Sequence, residues 1–551
     1  MNIKSKIKQL IIQSLSDSNI TIDTPVIEIS TNNRPDINAD FATNICMKYA
    51  SFANMKPIEL AELLKEKLDK STLFVDVIIS NPGFINFKVS NELLIEYAMP
   101  FKNSTYKPSF ESKILNIHYE YVSANPTGDL HIGHARNAVV GDSAIRSLEY
   151  IGHNVTKEYW INDYGNQIKT LAESVYYYYS KEAGIENNFE KESIGYHGIE
   201  IKELAKKLFE EHQMEFIKDT ESESIDSIAD ISIEHFFNQI KELLEVTLSV
   251  TKFDRYVSER KYFEDGTTED LLKELESKKA TYEKDGALWI KTEQEGDDKD
   301  RVLRKSDGST TYMVGDITYH RDKFKGNFDL IIDLWGKDHH GYENRVKAAM
   351  SLLGFESEKM EVDFISMVQI YEAGKKMKMS KRAGTSLRIK DMLELMDADL
   401  LRWFLLSKSR EQNLDIDVEE ASKKDSSNPY FYVQYAVARA HQLMNKYQLE
   451  NKIEDITEFK YIGASEKERD LMIKIAKWSE VVMNTANARD GYIVVNYLRE
   501  LAAAFHSFYN DSKIIEAEYK IASEQILLVK AFVNVASVAL NTIGIKPMEK
   551  M

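Results

Sequence analysis

Apolar residues recur along this chain first at mixed, then at strand-and-helix, and finally at purely helical spacing. In the opening MNIKSKIKQLIIQSL, Ile3, Ile7, Leu10 and Ile11 predict an amphipathic helix. The segment lacks the continuous apolar core and small-residue cleavage site of a signal peptide. Phe84–Val89 reads as a strand and the polar stretch 102–112 as a linker, so residues 1–108 are expected to form a separate α+β domain. Leu115, Ile117, Tyr119 and Tyr121 then alternate with polar neighbours as a strand would. Asn125, Pro126, Thr127 and Gly128 force a turn, and Ile132, Ala135, Val139 and Ile145 mark the inward side of a following helix. Strand, turn and helix in that order open a doubly wound sheet, whose ligands sit at the carboxyl ends of the strands.

Residues from about 170 to 250 are acidic and helix-prone and fall between parts of that sheet, so they read as an insertion. The tyrosine run 176–179 within it points around a helix rather than along one face, which favours packing over a base-stacking platform. The short apolar run 328–335 suits a buried strand where the sheet resumes. Past about Ser427 the pattern is helical throughout, with Leu498, Leu501, Phe505 and Phe508 in a seven-residue pattern. The expected fold is multidomain α/β: an α+β N-terminal domain (1–108), a doubly wound domain (109–426) and an all-α C-terminal helical bundle (427–551).

Composition narrows the chemistry. A chain of 551 residues, 43% of them hydrophobic, can bury more than one core. No uninterrupted apolar run reaches the roughly 18 residues of a bilayer span, so no membrane contact is expected. Cys46 is the single cysteine, which excludes intramolecular disulfides and a cysteine zinc site, and leaves catalysis to His, Lys and carboxylates. The net charge of −18 works against a polyanionic partner at long range, so nucleic-acid contact would need local basic patches. The basic run 375–382 is one; Arg439 and Lys446, interleaved with Tyr432, Tyr435 and Tyr447, are another.

The most informative motif is SANPTGDLHIGH at 123–134. His131 and His134 stack on one helical face at the start of a helix, and Gly133 between them is expected to leave the backbone open to a close ligand. Unpaired N–H groups and the positive end of the helix dipole would face a bound anion. The plainer alternative is a pair of helix-capping histidines. The pair lacks the spacing and intervening glutamate of a helical zinc-peptidase motif, so no metal is expected on it. A second motif, KKMKMSKRAGT at 375–385, would by itself be an ordinary solvated loop.

Together the two resemble the signature pair of class I aminoacyl-tRNA synthetases, and the wording is closest to the arginyl-tRNA synthetases of bacterial type. The resemblance runs through DFATN (40–44), PGFINF (82–87), INDYGNQ (161–167), WGKDHHGY (335–342), YVQYA (432–436) and LAAAFH (501–506). It implies a Rossmann-type catalytic domain with a KMSKR loop at 378–382, an N-terminal domain that binds tRNA and a C-terminal domain that binds the anticodon. The implied reaction forms arginyl-adenylate and pyrophosphate from L-arginine and ATP with Mg2+, then transfers arginine to the 3′ end of tRNA(Arg).

Residue by residue, the resemblance places His131, His134, Lys381 and, to a lesser degree, Lys378 on the phosphates. Gly128, Gly133, Gly336, Asp338 and Ser380 complete the ATP contacts, Asp338 being suited to the ribose hydroxyls. Gly374 and Gly384 would let the loop close and reopen. Tyr312 and Asp316, four apart and on one face if helical, would meet the arginine side chain, with Asn125, Gln167, Glu259 and, by a looser alignment, His339 nearby. Tyr432, Tyr435, Arg439 and Met551 would meet tRNA, Tyr435 and Arg439 sharing a helical face. The family often ends in Arg-Met, whereas this chain ends in Lys550-Met551, and lysine cannot supply bidentate geometry. The resemblance also implies a cytoplasmic monomer without structural zinc. The competing readings are a class I synthetase for another amino acid, a smaller nucleotidyltransferase, and a catalytically inactive tRNA-binding paralogue. The helical C-terminal part, the pocket matches and the retained histidines and loop lysine argue against them in turn.

Overall fold

The computed structural model describes residues 2–32, 34, 36–190, 194–372, 374–377, 387–450 and 465–551. Lys378, Ser380, Lys381 and Gly384 of the second motif lie outside the described residues.

The N-terminal part is a four-stranded antiparallel sheet in the order Ser30–Thr31, Phe41–Thr43, Phe84–Val89, Phe74–Ser80. Helices Ile3–Asp17 and Pro57–Leu68 pack with it. Asn2 caps the first helix by accepting from the Ser5 amide at 2.8 Å, and Ile3, Ile7 and Ile11 are buried while Leu10 is only partly so. Three ion pairs dock this part on the C-terminal helices: Arg469–Asp40 (2.8 Å), Lys88–Glu466 (2.9 Å) and Lys4–Glu480 (2.7 Å).

The central sheet has five parallel strands in the order Met360–Ile365, Leu330–Gly336, Asn116–Glu120, Asn154–Ile161, Arg255–Ser258. Asn116–Glu120 is its middle strand, and here the alternating pattern misleads. His118 and Glu120 are buried along with Ile117 and Tyr119, because helices cover both faces of a parallel sheet. Their polar groups are paired inside. His118 Nε2 lies 3.1 Å from Glu158, while Lys323 reaches Glu120 (2.5 Å) and Asp333 (2.7 Å) from the helix Tyr312–Lys325. Facing carboxylates push Lys323 up to about 12 against the effect of its burial, and the nearby His118, Lys323 and Arg255 hold Glu158 down at about 2 although its burial acts to raise it. Charges are stable at such depth only when paired in this way.

Between Asn154–Ile161 and Arg255–Ser258 the chain leaves the sheet, among the described residues, as three α-helices, Asn166–Glu182, Ile199–His212 and Glu221–Lys241, the last continued by a π-helical turn, Glu242–Thr247. They close over a core of their own that includes Tyr176, Tyr179, Leu204 and Leu208, so the tyrosine run packs as expected. Among the described residues the C-terminal part comprises five α-helices: Pro429–Glu450, Glu466–Ala476, Trp478–Ala488, Tyr492–Asp511 and Tyr519–Thr542. The last is long and apolar enough to cross a bilayer, with mean hydropathy 1.4, but it lies in the bundle against Pro429–Glu450 and Tyr492–Asp511. Tyr447 is buried there, with its hydroxyl 2.9 Å from Ser523 Oγ. It belongs to the core and not to the basic patch expected from the sequence, because its position on the helix faces the bundle interior.

Candidate functional site

The helix Ile132–Ile151 begins at the carboxyl end of the middle strand, with His131 as its N-cap residue. His131 Nδ1 accepts from the amides of Gly133 (3.1 Å) and His134 (3.4 Å), and His134 Nδ1 accepts from the His131 amide (3.3 Å). The two rings stack 3.7 Å apart at 14°. This is a reciprocal capping box built from imidazoles. Because each Nδ1 acts as an acceptor, each neutral ring carries its proton on Nε2. Capping and ligand contact therefore use different nitrogens and do not compete. The space over Gly133, expected to receive a ligand, holds the His131 ring instead: a Cβ there would lie 3.0 Å from Cε1 and 3.1 Å from Nδ1.

The turn before this helix is bent more sharply than the sequence suggests. Val122 and Ser123 both have positive φ (69° and 40°), in the left-handed region costly for side chains with a Cβ, and Gly128 follows at 141°. Asn137, which the sequence did not single out, holds the bend by accepting from the Val122 amide (2.7 Å) and donating to the Leu334 carbonyl (3.0 Å). Only the segment after the second motif reaches this place among the described residues, while Met377, near the start of the motif, bonds within its own hairpin. Met377 N donates to Ile370 O and Ile389 N to Leu130 O, both at 2.9 Å, and Arg388 and Lys390 pair with Asp129 at 3.2 and 3.0 Å.

Beside the turn, Asn125 donates to Gln167 and accepts from Asn162 (2.7 Å), which in turn accepts from Trp160 Nε1 (2.7 Å). Glu259 opens the short helix Glu259–Glu264, held in place by Asp163, which accepts from Ser258 Oγ (2.6 Å) and the Arg260 amide (2.9 Å). Asp163 is a positioning residue missed by the sequence reading, although it stands in the INDYGNQ motif. Glu259 Oε1 lies against Gly315, where a Cβ would be only 3.2 Å away, and so beside Asp316 of the helix Tyr312–Lys325. Burial first, then the charges of Asp316 and Asp163, push Glu259 up to about 7. Burial also raises Asp316, opposed by a hydrogen bond from the Tyr342 hydroxyl. Among the described residues neither carboxylate has a Lys, Arg or His nitrogen within 4.0 Å. Tyr312 stands at the first turn of its helix, 70% exposed. A cleft of about 440 Å³ lies between Asp163, Tyr164, Lys169 and Arg260 on one side and Glu221, Asp226 and Ala229 of the insertion on the other, and it is lined by none of the expected arginine- or ATP-binding residues.

Asp338 and His339 lie on the single turn Lys337–His339 after the strand Leu330–Gly336, both exposed, with His339 Nε2 3.5 Å from Asp338. The exposed Asp338 carboxylate folds back over Gly336. On the far domain, Arg439 lies 4.4 Å above the Tyr435 ring and 4.8 Å from that of Tyr509, and donates to the Tyr435 hydroxyl at 2.5 Å. Tyr435, 42% exposed, stacks on His506, while Tyr432 is half-buried against the same imidazole. Met551 is exposed.

Three family models match in order along the chain: Arginyl tRNA synthetase N terminal domain over 2–89, tRNA synthetases class I (R), catalytic domain over 102–450, and DALR anticodon binding domain over 433–551. The arginine–tRNA ligase 1 of Halalkalibacterium halodurans is 38% identical, with 100% of this chain and 99% of that protein covered. The arginine–tRNA ligase of Staphylococcus aureus strain Mu3 is 36% identical, with 100% of both covered. The solved arginyl-tRNA synthetase of Thermus thermophilus covers 100% of both chains at a TM-score of 0.76 and 19% identity, which shows the shared fold. With relatives at this identity over its whole length and a catalytic-domain match over more than half of it, the chain belongs to the arginyl-tRNA synthetase family of class I aminoacyl-tRNA synthetases.

Proposed function

We propose that the cleft at the carboxyl ends of the central strands performs the family's reaction with the residues described above in specific roles. The chain is an arginine–tRNA ligase: it uses ATP to activate arginine and passes the arginyl group to tRNA. In the activation step a carboxylate oxygen of arginine attacks the α-phosphorus of ATP in line, and the bond to pyrophosphate breaks; no protein nucleophile is needed. The Nε2–H groups of His131 and His134, directed by the cap, donate to phosphate oxygens as negative charge builds up. Lys381 and Lys378 hold the β- and γ-phosphates, Ser380 and Gly128 border the nucleotide, and Asp338 accepts from the ribose hydroxyls. Magnesium accompanying the nucleotide would neutralise charge on its phosphates and be held by the nucleotide rather than by a protein cage.

The observation that carries the assignment of substrate is the pair of carboxylates, Glu259 and Asp316, held together without a cationic partner among the described residues. A guanidinium is planar, permanently charged and rich in donors, so it relieves their repulsion and satisfies both. Tyr312 borders the side chain, and Asn125, Gln167 and His339 bind the remainder of arginine. Tyr435 and Arg439 form a stacking and phosphate-contacting platform for tRNA, joined by Tyr432 and Met551. With these roles goes a division at about residues 108 and 426, and a chain that acts as a monomer in the cytoplasm without a membrane partner.

The test is amino-acid-dependent ATP–pyrophosphate exchange across all twenty amino acids, with and without total tRNA. Exchange with arginine alone is expected; exchange with another amino acid overturns the pocket assignment. Lys381→Ala should lower the activation rate by at least about tenfold with little effect on arginine binding, and a near-normal rate removes this lysine from the mechanism.

A further inference from the structure

We propose that Tyr342 is a positioning residue for arginine selection, its hydroxyl holding the Asp316 carboxylate in the orientation that receives the guanidinium. This rests on the reading of Asp316 given above. Tyr342 begins the helix Tyr342–Leu352, immediately after the turn that carries Asp338. Its hydroxyl donates to Asp316 Oδ2, the hydrogen bond found for that carboxylate. The ring is itself clamped: Trp335 packs against it with centroids 5.9 Å apart, and the Arg345 guanidinium lies 4.6 Å over its face. The hydroxyl is thus fixed by packing from the strand Leu330–Gly336 and from its own helix, and does not merely follow Asp316.

A carboxylate flanked by Glu259 and removed from bulk water has reason to rotate away from its like-charged neighbour. A donor on one oxygen resists that rotation and favours the ionised form, leaving the remaining lone pairs for the substrate. Tyr342 also joins two halves of the site. The segment that carries Asp338 on the nucleotide side ends in the residue that orients the carboxylate on the amino-acid side.

The test is Tyr342→Phe, which removes the hydroxyl and keeps the ring contacts with Trp335 and Arg345. In pyrophosphate exchange with tRNA present, the KM for arginine should rise about tenfold, as expected for a lost hydrogen bond to a charged group, with kcat and the KM for ATP within about twofold. Added to Asp316→Asn, the same change should cause no further loss, because the two act through one contact. An unchanged KM for arginine, or additive losses in the double variant, overturns the proposal for Tyr342 while Asp316 keeps its role. If Asp316→Asn itself leaves the KM for arginine unchanged, the underlying reading fails and the proposal with it.

Discussion

Glu259 shows burial and a like charge acting together on one group. Its carboxyl, at about 7 rather than the ordinary 4.5, is half protonated near neutral pH while the site lacks substrate. A guanidinium favours the ionised form, so binding should expel a proton, and arginine affinity should weaken by roughly tenfold as pH falls from 8 to 6. Calorimetry in buffers of different ionisation enthalpy would read that proton directly; binding without proton release at pH 6.5 would remove Glu259 from contact. Stability of the substrate-free fold runs the opposite way with pH. Since the folded value lies above the unfolded one, the protonated form favours folding fully below about 4.5, and that contribution is lost as pH rises through about 7. Glu259→Gln should therefore raise the melting temperature of the substrate-free protein at pH 8 while weakening arginine binding. Asp316→Ala, by leaving the substrate charge without one of its partners, should cost about 2–5 kcal/mol in kcat/KM for arginine.

One scale up, the helix Ile132–Ile151 couples its own start signal to the chemistry. Glycine at position 133 weakens a helix by about 1 kcal/mol relative to alanine, which makes sense only if something else needs the space. That something is the His131 ring, 3.0 Å from where a Cβ would stand. Gly133→Ala should thus leave folding intact, the gain in helix propensity offsetting the disturbed cap, yet lower pyrophosphate exchange at least about tenfold by displacing the imidazole that directs its Nε2–H outward. Equal activity in a folded Gly133→Ala protein would show that the stacked pair does not set the catalytic geometry. The two histidines, the turn before them and the helix were all legible from spacing. The cap geometry was not, because it depends on a residue before the helix having extended φ and ψ (−96°, 169°), which no periodicity reports.

At the scale of the whole molecule, one buried guanidinium ties distant segments together. Arg402 and Asp142 are both fully buried and paired; Arg402 also donates to the carbonyls of Leu248 (2.7 Å) and Ile543 (3.1 Å). Those contacts join the helix Ile132–Ile151, the end of the insertion and the end of the last C-terminal helix. Gly544, with φ of 71°, leaves room for the guanidinium that any Cβ would occupy. Arg402→Met strands Asp142 with only part of its partnership and should cost about 3–5 kcal/mol, seen as a lower unfolding midpoint in denaturant. An unchanged midpoint would mean that the domains are held together elsewhere, for example through Arg489 and Asp363.

Local periodicity and motif spacing were enough to establish the strand Phe84–Val89, the start of the signature helix, the buried tyrosine run and the helical C-terminal part, because each is written in residues close together in sequence. The carboxylate pair was named from sequence, but its neighbours were not: Asp163 bonds Ser258 beside Glu259, and Tyr342 bonds Asp316, each across residues far apart in the chain. The alternation around Ile117 likewise could not say that both faces of that strand are covered, nor that Glu120 would meet Lys323. Which polar groups are buried, and against what charge, follows from packing between segments that sequence order keeps apart. Only the tertiary structure decides it, since desolvation and Coulomb energy depend on distance in space and not on position in the chain.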